Sequence, residues 1–318
     1  MSKSDLKIAV FGAGAVGAYF GGRLAEAGVD VHFIARGATL DAVRAHGLRI
    51  TSIAGDFSVK VPVTENPAEI GPVDAVIVGV KAWQLEEVAR AMQPMLKPGT
   101  AVIPLQNGVE APSVLSEVLG AQHVLGGLCQ IAAQIEAPGW IRHLGADPTI
   151  RFGELDNTRS SRVEALKAAF DDAKGVQAEI PDDISVALWR KFMLICPWSG
   201  LGAVTRAPAG AFRTEPRTRA LLTAMLDEIA AVGRASGVAL PDDAAAVTLG
   251  YFDSAPPGVT ASMQRDIMDG LPSELDVQSG AVARLGKALG VPTPVNAFVY
   301  AALLPMERRA RKETDWSI

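Results

Sequence analysis

Short apolar runs and helical stretches alternate through the first half of the chain. "LKIAVF" (6–11), "VHFIA" (31–35), "DAVIVGV" (74–80), "TAVIPL" (100–105) and "HVLGGL" (123–128) are compact apolar runs of strand length. "AVGAYFGGRLAEAG" (15–28) carries helical spacing and ends in glycine, and "WQLEEVARAMQPML" (83–96) is amphipathic. Buried runs separated by helices predict a parallel sheet with crossover helices. Around 129–153, "CQIAAQIEAPGWIRHLGADPTIRFGE" predicts antiparallel strands with turns at "APG" and "GADP".

The pattern changes after "AEIPDDI" (178–184), where strand-like runs nearly vanish. "ISVALWRKFMLIC", "RTRALLTAMLDEIAAVGRASG", "SELDVQSGAVARLGKALG" and "NAFVYAALLPMERRARK" read as helical blocks, broken by "ASGVALPDD" and "ALGVPTPVN". A boundary near 181–183 follows. The length of 318 residues agrees with two domains.

"GAGAVG" (12–17) joins the first strand to the first helix, the context in which G-x-G-x-x-G binds a dinucleotide. Gly12 allows the tight turn, Gly14 allows backbone to approach a pyrophosphate, and Gly17 allows close helix–strand packing. The N–H groups that open the helix, at Ala15, Val16 and Gly17, face the anion. Residues 1–181 are therefore expected to form a Rossmann-type α/β domain, and residues 182–318 an all-helical domain holding substrate and catalytic groups. An NAD enzyme usually carries Asp or Glu at the end of the second strand. Here "IARG" supplies Arg36 and no carboxylate. A guanidinium suits a 2′-phosphate, so NADPH is the expected cofactor; the other reading of Arg36 is a surface loop charge.

Charge and composition narrow the partners. A formal net charge of −5 argues against non-specific nucleic-acid binding. The basic run "ERRARKE" (307–313) reads as a solvated last helical turn. Two cysteines, Cys129 and Cys196, lie far apart without metal-like spacing, which fits a reduced, cytoplasmic protein with no metal. The N-terminal "MSKSDLKIAVFG" lacks an export pattern, and no apolar run has the length of a membrane span. Long apolar helices in the second half suggest a homodimer.

A nicotinamide enzyme that reduces a carbonyl needs a proton donor for the developing alkoxide. All four histidines (His32, His46, His123 and His143) fall in the first half. The helical half holds three lysines, Lys191, Lys287 and Lys312, and only Lys191 lies in apolar surroundings, in "LWRKFMLICPWSG". Desolvation would favour its neutral form and bring it into range as an acid. The residues alone leave two readings open: a proton donor, or a stem whose charge snorkels to water.

Taken together, these segments resemble the ketopantoate reductases (2-dehydropantoate 2-reductases) nearly from end to end. The resemblance rests on "FGAGAVGAYFGGRLAEAG", Arg36, "VKAWQ" with Lys81, "LQNGV" with Asn107, "LWRKF" with Lys191, and "TASMQRD" with Ser262 and Asp266, followed by Glu274. It implies NADPH-dependent reduction of a 2-oxo acid, ketopantoate to pantoate on the route to pantothenate, at a site between a Rossmann domain and a helical domain. By this resemblance Lys191 gives the proton and Glu274 orients it. Ser262 binds the substrate carboxylate, and Lys81 and Asn107 serve the junction of nicotinamide and substrate. The family usually places asparagines one and two turns after the lysine; here those positions, expected to line the substrate pocket, hold Ile195 and Ser199, with Pro197 between them as an expected kink. A β-hydroxyacid-type dehydrogenase and an NADPH-binding regulator without turnover are the alternatives. Retention of Lys191 and Glu274 argues against the regulator.

Overall fold

The computed structural model describes residues 6–315. The first five residues, part of the segment read as lacking an export pattern, lie outside the described residues. The chain divides into two compact units: residues 1–106 with 111–184, and residues 107–110 with 185–318.

The first unit holds ten strands and five α-helices among the described residues. β1 (Lys7–Phe11), β2 (Asp30–Ile34), β5 (Val63–Thr64), β6 (Ala75–Val78) and β7 (Ala101–Pro104) form a parallel sheet in the order β5-β2-β1-β6-β7. β3 (Leu48–Ser52), β4 (Phe57–Val59), β8 (Leu125–Ala137), β9 (Trp140–Glu154) and β10 (Gln177–Glu179) form a second, mixed sheet. The helices are α1 (Ala15–Glu26), α2 (Gly37–His46), α3 (Leu85–Ala91), α4 (Ala111–Leu119) and α5 (Ser161–Asp171).

The apolar runs are continuous because the parallel sheet is covered on both faces. Alternate side chains of one strand enter different cores. Ile8 and Val10 pack with Phe20 and Leu24 of α1 and with Phe152 of the second sheet. Ala9 and Phe11 pack with Val88 of α3 and Leu115 of α4.

The structure corrects several sequence expectations here. "HVLGGL" is not a further parallel strand: Val124 makes one bridge to Val102, and the chain then runs into β8 of the second sheet. Gly127 permits that close passage, since a Cβ there would lie 2.5 Å from the Pro104 carbonyl oxygen. "GADP" is no turn. β9 continues through it while its register against β8 shifts between Gln130 and Ala132, an irregularity that β-structure absorbs without ending the strand. "WQLEEVARAMQPML" yields a shorter helix, Leu85–Ala91, between single 3₁₀ turns. The apolar runs do not announce β3, β4, β5 or β10.

The second unit is helical, with α6 (Ile184–Thr205) leading into it from the first. α7 (Ala209–Thr214), α8 (Pro216–Ala235), α9 (Ala244–Ser254), α10 (Ser262–Met268), α11 (Ser279–Leu289) and α12 (Pro294–Ala310) follow. Trp189, Phe192, Met193 and Cys196 of α6 recur at helical spacing and pack with Met225 and Ile229 of α8, Val282 of α11 and Val299 of α12. α6 continues through Pro197 to Thr205, although the ring cannot donate to the Met193 carbonyl. "SELDVQSG…" is helical only from Ser279, leaving residues 274–278 as a bend and turns.

Candidate active site

The glycine loop lies at the C-terminal edge of β1. Gly12 has φ +100°, a conformation that side chains disfavour, and its N–H donates to the Ile34 carbonyl at 3.1 Å. A Cβ on Gly17 would lie 2.1 Å from the Gly12 carbonyl oxygen, and one on Gly79 would lie 2.9 Å from the Gly17 Cα. These two glycines let α1 sit hard against the ends of β1 and β6. Gly14 differs: a Cβ there would meet nothing nearer than the Gly79 carbonyl oxygen at 3.9 Å, so the approach to its backbone is open. Gly14 is also the N-cap of α1, with no side-chain cap and no acid in the first turn. The first-turn N–H groups, which include Ala15, Val16 and Gly17, have no intrahelical acceptors and carry the positive end of the helix dipole. An open backbone approach beside an uncapped helix start fits the pyrophosphate of a dinucleotide.

Two neighbours complete this edge. Arg36 is the exposed N-cap of α2, just past the end of β2, and α2 also lacks a side-chain cap and a first-turn acid. Lys81 follows β6 and is exposed; its backbone N–H donates to Gln84 Oε1 at 3.3 Å, and its ammonium lies 5.7 Å from the centre of the Trp83 ring.

Residues that the sequence did not single out also shape the site. Buried Gln106 donates to the carbonyls of Val78 and Val80, at 2.9 and 2.8 Å, and so fixes the β6 end that backs the glycine loop. Glu87, in the first turn of α3, accepts from both terminal nitrogens of Arg36 at 3.1 Å through one oxygen. A carboxylate is therefore near Arg36 after all. It is 51 residues distant in sequence, beyond the reach of the local pattern at the end of β2.

Within the second unit, Asn107 Nδ2 donates to Glu274 Oε2 at 2.9 Å across 167 residues of sequence. Gly108 makes the approach possible: its φ is +98°, and a Cβ there would lie 2.7 Å from the Val277 carbonyl oxygen. Glu274 is buried in the bend before α11. The residue just before it, Ser273, is tied down by Glu307 of α12. Its buried carboxylate accepts the Ser273 N–H at 3.0 Å, the Ser273 hydroxyl at 2.5 Å and Arg311 Nε at 2.6 Å. The expectation of a solvated turn over "ERRARKE" fails at these two residues, because helical periodicity turns Glu307 inward and Arg311 follows it one turn later.

Lys191 is half-buried on α6, on the side away from Trp189 and Met193. Ile195 and Ser199 continue its stripe. Each four-residue step advances about 40° around a helix, so the stripe turns gradually into the protein: Ile195 is half-buried and Ser199 buried. α6 runs beside the start of α11, with Cys196 Sγ 3.7 Å from Ser279 Oγ. Ser262 is exposed at the first position of α10, after an Ala261 N-cap. No described hydrogen bond joins it to Asn107, Lys191 or Glu274. The described residues contain no group of three or more His, Cys, Asp or Glu side chains able to hold a metal ion. No described helix is long and apolar enough to cross a membrane.

Comparison with known proteins agrees with this architecture. Residues 8–157 match the family described as "Ketopantoate reductase PanE/ApbA", and residues 183–307 match its C-terminal counterpart. An uncharacterized oxidoreductase of Bacillus subtilis, YkpB, is 32% identical, with 94% of this chain and 98% of that protein covered. A 2-dehydropantoate 2-reductase of Mesorhizobium japonicum is 31% identical, with coverages of 95% and 99%. The crystal structure of a PanE/ApbA family ketopantoate reductase from Ralstonia eutropha superposes with a TM-score of 0.87 at 35% identity, covering 96% of this chain and all of that one. With both halves matched and relatives covering nearly all of it, this chain is a dinucleotide-dependent oxidoreductase of the ketopantoate reductase family.

Proposed function

We propose that the protein reduces a 2-oxo acid to the 2-hydroxy acid with NADPH, with ketopantoate, on the route to pantothenate, as the leading substrate. The observation that carries this reading is the Asn107–Glu274 hydrogen bond, which unites two residues that the resemblance assigns to one reaction. Open backbone at Gly14 and the free helix start at Ala15 and Val16 hold the pyrophosphate. Arg36, beside the uncapped start of α2, takes the 2′-phosphate. Lys81 lies toward the nicotinamide end. The bound cofactor supplies a hydride to the carbonyl carbon.

The chain's own residues do the rest. Lys191 hydrogen-bonds the carbonyl oxygen and gives it a proton as negative charge develops there. Glu274, oriented by Asn107, holds the lysine and the substrate in line. Ser262 binds the carboxylate. Ile195 and Ser199 face the substrate side chain.

The test is NADPH oxidation over a panel of 2-oxo acids, with wild type, Lys191→Ala and Lys191→Arg, and nucleotide binding measured separately. Loss of a general acid costs about 10²–10⁴ in rate. Both variants should lose turnover on that scale and still bind NADPH, since Arg does not release its proton near neutral pH. Near-normal turnover in either variant would remove Lys191 from the chemistry. Turnover of none of the acids would remove the substrate class.

A further inference from the structure

We propose that Glu87 is a specificity-determining residue that weakens the preference for NADPH by competing with the 2′-phosphate for Arg36. This inference rests on the reading that Arg36 binds that phosphate.

The argument starts from topology. β1 lies between β2 and β6, so the loop at the end of β1 is flanked by the β2–α2 connection on one side and the β6–α3 connection on the other. Arg36 closes the first as the N-cap of α2, and Glu87 lies in the first turn of α3, just past the second. Their ion pair spans the crevice at the open end of the sheet, where such folds bind their ligands. Both terminal guanidinium nitrogens are engaged on a single Glu87 oxygen, and they are the nitrogens a phosphate would use.

A 2′-phosphate must therefore displace Glu87, and it then sits close to a carboxylate of like charge. A 2′-hydroxyl needs neither step and can donate to Glu87, as it does to the acid of NAD-binding sites. The same pair of residues thus penalises one cofactor and accommodates the other. Both side chains are about three-fifths exposed, so the pair is weak and the penalty modest.

The experiment is equilibrium titration of NADPH and NADH, followed by nucleotide fluorescence without substrate, on wild type, Glu87→Gln, Arg36→Ala and the double variant. Glu87→Gln should tighten NADPH about two- to fivefold, the range of an exposed ion pair. NADH should be unchanged or weaker. The gain should vanish when Arg36 is also replaced, and shrink at high salt. A gain of affinity is a readout that mere structural damage does not give. Unchanged or weaker NADPH binding in Glu87→Gln overturns the proposal. So does equal tightening of both cofactors, or a gain that persists without Arg36. If Arg36→Ala weakens both cofactors equally, the reading of Arg36 itself fails, and the proposal falls with it.

Discussion

At the scale of single residues, the proposed substrate choice turns on Ile195. It lies one turn after Lys191, half-buried, at a position where the resemblance leads one to expect asparagine. Isoleucine cannot pair with a substrate hydroxyl, and a buried hydroxyl without a partner costs about 1–3 kcal/mol. The enzyme should therefore tolerate 2-oxo acids with apolar side chains, and Ile195→Asn should raise kcat/KM for ketopantoate over 2-oxoisovalerate about tenfold. A strong wild-type preference for ketopantoate that the substitution leaves alone would remove Ile195 from specificity. These residue types were legible because each carries its chemistry in its identity: a lone lysine among apolar neighbours, glycines between a strand and a helix. Glu87 and Glu307 were not legible. An acid on a helix has many solvated counterparts, and its partner is known only once the chain has folded.

At the scale of elements, α12 acts as a clamp. Its buried Glu307 takes up the Ser273 amide and hydroxyl, and Arg311 returns a bond to the Ser273 carbonyl at 2.9 Å. The turn that presents Glu274 is thereby fixed from the C-terminal end of the chain. Glu307→Ala would leave the fully buried Ser273 amide and hydroxyl without their acceptor and remove the carboxylate partner of Arg311. A buried donor left without a partner costs about 1–3 kcal/mol, and urea unfolding of Glu307→Ala should show a loss on that scale, with Glu307→Gln milder because an amide oxygen still accepts. A loss below about 1 kcal/mol would show that the turn holds itself. Helical periodicity identified α12, but its inward face was readable only in part. Apolar Val299 and Leu303 mark the stripe, while Glu307 on the same stripe looks like surface.

At the scale of the whole molecule, stability should fall at both ends of the pH range for different reasons. Burial pushes the Cys196 thiol up to about 12, with the Ser279 hydroxyl opposing. An unfolded thiol ionises near 8.5. Between those values the unfolded state has lost a proton that the folded state keeps. Stability then declines as pH rises, by at most about 1.4 kcal/mol per pH step from this group. At the acid end, burial disfavours the charged form of Glu154, but hydrogen bonds from Arg162 and Ser160 outweigh it and hold the carboxyl below its usual range. Its contribution is present above the unfolded value and is lost as pH falls through the folded one. Denaturant unfolding across pH should show both limbs. The alkaline limb should be shallower in Cys196→Ala and the acid limb shallower in Arg162→Met; unchanged slopes would count against these two groups.

The sequence by itself determined the strand–glycine–helix start, the parallel sheet, the change to helices after residue 184 and most of the candidate side chains. Those features are local. Period-two and period-3.6 patterns, and the backbone freedom of glycine, act over a few residues and can be read there. Tertiary structure alone decided that residues 107–110 belong with the helical unit, that "HVLGGL" enters a second sheet, and that Asn107 meets Glu274. It also decided that Arg36 has a carboxylate beside it and that Ser273 is held from α12. Each of these is a pairing between distant segments. A polar side chain states what it can bond; only packing, which brings one donor and one acceptor within about 3 Å and excludes their competitors, decides with which partner it does so.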